Sequence, residues 1–157
     1  MCADLSTENP SVRALRVAAA LLRGCGGTTA YLQIPPTSGD SSDAGQIGLD
    51  LPDFKLLPLA PVVFHKIRSG YLLPDQPQKY ELRVSAESVA LQVSQLELSD
   101  AAALFALASG IVVAGRLYMI EGFSGFEQQG QIYLYRILLR DAVTNWPQQS
   151  PDVAPQG

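Results

Sequence analysis

"GIVVAGRLYMIEG", residues 110–122, reads as a strand, a tight turn at Ala114-Gly115 and a second strand. Apolar residues stand at neighbouring positions in it, as in Ile111-Val112-Val113 and Met119-Ile120. A half-buried strand alternates apolar with polar. Here both faces are apolar, so something beyond one core must cover the second. The candidates are the short apolar segment at 101–109 and a neighbouring subunit.

Working outward, "QIYLYRILLR", residues 131–140, is a further strand. Ser99 or Asp100 can cap a short helix over "AAALFALAS", apolar nearly all round and ending at Gly110. Upstream, Tyr80, Leu82 and Val84 alternate with Glu81 and Arg83, the pattern of a strand. Val89, Leu91 and Val93 alternate likewise, which predicts another strand after a bend at Ser85–Ser88. "TTAYLQI" (28–34) and "PVVFHKI" (61–67) have strand composition. Asn9-Pro10 opens a helix whose stripe is Val12, Leu15, Ala19 and Leu22, stopped by Gly24.

The chain of 157 residues is sized for one domain. The reading is mainly β: a small antiparallel β-barrel or sandwich with an N-terminal helix, one short internal helix and long arms. Residues 1–9 are a lead-in, 10–141 the helix and barrel with an insertion at 35–59, and 142–157 an extended Pro/Gln-rich tail. The insertion is long for a compact domain. Its apolar residues Leu51, Phe54, Leu56 and Leu57 fit either a surface loop or an arm that docks on a neighbour. Phe123, Phe126 and Trp146 are further candidate contact residues.

Charged residues make up 17% of the chain and the net charge is −4. That balance argues against a general nucleic-acid binder, which carries a basic patch. Cys2 and Cys25 lack metal-ligand spacing and read as free thiols in a reducing compartment, with a disulfide between them the alternative. Leu22-Arg23-Gly24-Cys25 has the order of a lipoprotein processing site, but its apolar run is short and Arg23 interrupts it, so secretion is not expected. No stretch is long enough to span a membrane as a helix.

Chemistry is sparse. His65 is the sole histidine and sits within a strand, where packing is its ordinary role. "GCGGTT" (24–29) follows a helix and precedes a strand, the reverse of a phosphate loop. "GFSGF" (122–126) has Phe126 where a nucleophile elbow needs glycine. Arg116, Arg136 and Arg140 read as a solvated strand face. No catalytic residue, cofactor or metal site is expected.

One family resemblance is carried by the C-terminal third. Gly115, Arg116, Tyr118 and Ile120 form a "G-R-x-Y-x-I" strand, and Leu138, Leu139 and Arg140 end a closing strand after a loop. This resembles the tailed-phage head–tail connectors, the stopper or head-closure proteins of the neck. The resemblance implies a β-barrel subunit of a homo-oligomeric ring of six or twelve copies. Its neighbours would be portal or adaptor and tail proteins, with genomic DNA passing through the lumen without sequence-specific binding. It implies no enzymatic activity, no membrane, and residence in the virion after assembly in the bacterial host cytoplasm. A tail terminator or other tail ring component, and a small-molecule-binding barrel, are the alternatives.

Overall fold

The computed structural model describes residues 10–36, 54–67 and 78–142. Six antiparallel strands close into a barrel in the order β1-β2-β3-β6-β5-β4. They are β1 (Thr28–Ile34), β2 (Lys55–Lys66), β3 (Lys79–Ser85), β4 (Gly110–Val113), β5 (Arg116–Gln128) and β6 (Gln131–Asp141). Helix α1 (Pro10–Gly24) precedes them, and α2 (Ala86–Gln95) and α3 (Ala101–Leu107) carry the chain from β3 to β4. The expected class, a small antiparallel barrel with an N-terminal helix, is the observed one.

The opening stretch forms the expected hairpin. Ala114 and Gly115 both have positive φ, 49° and 77°, the pair that a two-residue type I′ turn needs. Gln129 (51°) and Gly130 (79°) repeat that device between β5 and β6. Closure removes the sheet edges that a short open sheet would leave unpaired.

Strand alternation fills the interior. Leu32, Leu59, Leu82, Ile111, Ile137 and Leu139 are all fully buried. The lower end, where β3 begins and β6 ends, is closed by Phe64, Tyr80 and Tyr118, whose ring centroids lie 4.9–5.2 Å apart. At the upper end, Leu104 and Phe105 of α3 and Val89 of α2 complete the core. Phe105 meets Phe123 at 4.8 Å and Tyr135 at 5.9 Å, which ties α3 to the long β5–β6 hairpin.

Residues 86–95 correct the expected second strand after β3, so among the described residues the internal helices number two. Val89, Leu91 and Val93 do alternate, but Ala86, Val89 and Gln92 are the buried set, at helical spacing. Ser85 is the N-cap, its side chain accepting from the Ser88 backbone N–H at 3.3 Å. The helix serves β2, whose pairing with β3 stops at Val62↔Val84. Gln92 donates through Nε2 to the Pro58 carbonyl at 2.9 Å, and the Ser88 hydroxyl accepts from the Ala60 N–H at 3.2 Å. Side chains of α2 thus satisfy the edge of β2 where no strand continues.

Other boundaries also move. β2 begins at Lys55, so residues 55–59 belong to the barrel rather than to the insertion. Leu56, Leu57 and Pro58 pair with Gln33, Leu32 and Tyr31 of β1. α3 buries only Leu104 and Phe105, while Leu107 remains 40% exposed, so it is not covered all round. The lead-in 1–9, the insertion from 37 to 53 and the tail from 143 onward lie outside the described residues.

Candidate functional site

α1 packs over the outer face of β2, β3 and β6 and buries Ala18, Ala19 and Leu22 there. Val12, expected on the buried stripe, is 36% exposed, and Val17 and Leu21 face away at 55% and 63%. Beside this helix outward residues of β2, β3, β6 and β5 form two rows. Arg83 of β3 is directly opposite Arg136 of β6, which is opposite Ser124 of β5. In the next row His65, Glu81, Leu138 and Gly122 are aligned across four strands.

Glu81 ties these rows together. Although outward, it is only 3% exposed. Its Oε1 accepts from Arg83 Nε and its Oε2 from Arg136 Nε, both at 2.6 Å. His65 Nε2 lies 3.8 Å from Oε1. Burial pushes the Glu81 carboxyl up, but hydrogen bonds from Arg83 and Arg136, and then their charges, outweigh it and hold the group below the ordinary carboxylate value. Two like charges placed directly across a sheet repel. One shared carboxylate holds them there and leaves a net positive spot.

A shallow groove of about 250 Å³ opens beside Arg136, lined also by Gly122, Phe123, Ser124 and Leu138. Space is open at Gly122, where an added Cβ would meet nothing within 4 Å. Lower on the same sheet, Glu121 pairs with Lys79 at 3.2 Å and Arg140 at 3.9 Å. Asp141 accepts from the Tyr80 hydroxyl at 3.3 Å and lies 3.5 Å from Arg116. Burial, and then the charge of Asp141, raise the Tyr80 phenol.

The opposite side of the barrel has no such cover. Pro58, Tyr31, Val112 and Leu117 are aligned across β2, β1, β4 and β5 by direct pairing. Tyr31 is 40% and Leu117 37% exposed, and Leu56 on the same face is 51% exposed. Val112 and Leu117 come from the hairpin with two apolar faces. Among the described residues nothing covers that second face, and α3 is engaged with Phe123 and Tyr135 instead.

The expected contact residues divide. Leu57 is 4% exposed and belongs to the barrel's own core, a correction to its place on a docking arm. Phe54 and Leu56 remain outward at the start of β2. Phe123 and Phe126 share the β5–β6 hairpin but on opposite faces, opposite Ile137 and Leu134 respectively. Phe126 lies 6.5 Å from Tyr133. Leu51 and Trp146 lie outside the described residues. Sequence does not single out Tyr31, Val112 and Leu117; of the Glu81 cluster it offers Arg136 and His65, as neighbours of a polar pocket in the small-molecule-barrel alternative, but not Glu81 as their common partner. Alternation places Glu81 and Arg83 on one face, but the arrival of Arg136 depends on the β3–β6 register.

Cys25 is an exposed free thiol, and among the described residues no group of three or more His, Cys, Asp and Glu could hold a metal ion. No helix there is long and apolar enough to cross a membrane. Compared with protein-family models, curated proteins and solved structures, the chain matches none of them.

Proposed function

We propose that this chain is a structural subunit of a homo-oligomeric ring, of the head–tail connector kind, in a tailed-phage neck. Genomic DNA would pass through the lumen, and portal or adaptor and tail proteins would sit on either side. The observation that carries the reading is the bare apolar row Pro58–Tyr31–Val112–Leu117, with Leu56 beside it. It lies across the barrel from the face that α1 covers.

A ring subunit needs two different surfaces, one for each neighbour. The bare row supplies one, and the exposed Val17 and Leu21 of α1 supply apolar surface on the other side. The barrel interior is filled by aliphatic side chains, which favours a scaffold over a ligand-holding barrel. The helical end carries Glu87, Glu97 and Asp100 with no base on α2, α3 or the residues joining them. Facing a lumen, such an end would repel the DNA backbone and keep it from sticking.

The reading is tested by the mass of the purified particle in solution, by light scattering and native mass spectrometry. A discrete species of six or twelve copies supports it. A chain that stays single at high concentration and binds no neck protein removes it.

A further inference from the structure

We propose that Arg83, Arg136 and Ser124 form a binding site for a phosphate oxyanion on the outer face of β3, β6 and β5. The inference stands independently of the ring reading.

The first support is the orientation of the two guanidinium groups. Each spends its Nε on Glu81, at 2.6 Å. Among the described residues, their terminal nitrogens make no further hydrogen bond, and both side chains are 47% exposed. A buried carboxylate that fixes two arginines by their inner nitrogens leaves the outer donor edges in place for an acceptor. Planar guanidinium edges match oxyanions, and fixed ones lose less entropy on binding.

The second support is the surface around them. Arg83, Arg136 and Ser124 occupy successive strands at one level, so a hydroxyl continues the row of donors. The groove beside Arg136 and Ser124 is also lined by Gly122, where an added Cβ would meet nothing within 4 Å. The third is charge. One carboxylate faces two arginines in the cluster, so an added anion relieves the repulsion between directly opposed cations. A surface ion network alone needs neither the exposed donor edges nor the groove.

The test is a titration of the full chain with inorganic phosphate, at ionic strength held constant with sodium chloride, followed by backbone amide NMR. Saturable shifts centred on Gly122, Ser124 and Arg136 are expected. Gly122→Val adds bulk to the groove at a position where a Cβ meets nothing within 4 Å, and Arg136→Gln removes one donor edge. Each should weaken binding by about tenfold or more. Because Arg136→Gln also loosens Glu81, Gly122→Val keeps the test valid if that variant folds poorly. Wild type without saturable shifts, or a Gly122→Val variant that binds as wild type does, overturns the proposal. Competition by a short DNA duplex assigns the phosphate to a nucleic-acid backbone. Binding undisturbed by the duplex assigns it to a free phosphate.

Discussion

Two sides of one barrel solve the same problem differently. On β2, β3 and β6 the outer face carries α1, and beside it Glu81 pairs with the half-exposed Arg83 and Arg136. On β1, β4 and β5 the outward residues are Tyr31, Val112 and Leu117, and no described element lies over them. The covered side supports its own fold. The bare side carries apolar surface that no described element covers, and under the ring proposal a neighbouring subunit would cover it.

The comparison can be broken by substitutions ranked by expected cost. Leu104 seals the upper end and is fully buried, so Leu104→Ala should cost about 2–5 kcal/mol in denaturant unfolding. A cost under about 1 kcal/mol would mean that α3 is not part of the core.

The covered side comes next. Replacing Arg83 and Arg136 together by Met leaves Glu81 buried without its partners. Breaking a fully buried pair costs about 3–5 kcal/mol, and the half-exposed arginines reduce this to roughly 1–3 kcal/mol. The pH dependence gives the sign. The folded Glu81 carboxyl lies below its unfolded value, so its stabilisation is present above the unfolded carboxylate range. It is lost as pH falls through the folded value. The double variant should reverse Glu81's part of that dependence, since burial alone raises the folded carboxyl above its unfolded value and stability then falls as pH rises. Melting temperature against pH, from neutral into the acid range, reads the difference.

A smaller effect is expected at the seam. Gln92→Leu removes the donor to the Pro58 carbonyl and should cost about 1–2 kcal/mol, measured by urea unfolding. An unchanged midpoint would show that water replaces the bond without loss.

The ranking mirrors what was legible in sequence. The barrel class, the Ala114-Gly115 hairpin, α1 and β3 follow from local pattern: turn residues, capping and alternation. The 86–95 segment did not, because Val89, Leu91 and Val93 satisfy a period of two while Ala86, Val89 and Gln92 satisfy a helix. Only the loss of a strand partner beyond Val62 decides between them. Leu57 was misplaced because proline-rich surroundings hid the first half of β2, although Pro58 sits on the outward face of the strand. The candidate site was less legible still. Glu81 and Arg136 are 55 positions apart, and only register brings them together. The bare row likewise joins four strands, each contributing one residue that looks ordinary alone.

On the bare side the expected cost to stability is smallest. Tyr31→Asp with Leu117→Asp places charges on half-exposed strand positions and should leave the chain folded, at a cost of about 1 kcal/mol. The main effect should fall on assembly. The decisive measurement is therefore the particle mass of wild type and of this double variant, by light scattering at matched concentration. The account predicts a discrete ring mass for wild type and a single-chain mass for the folded variant. A single-chain wild type at high concentration, or a variant whose ring is intact, would contradict it.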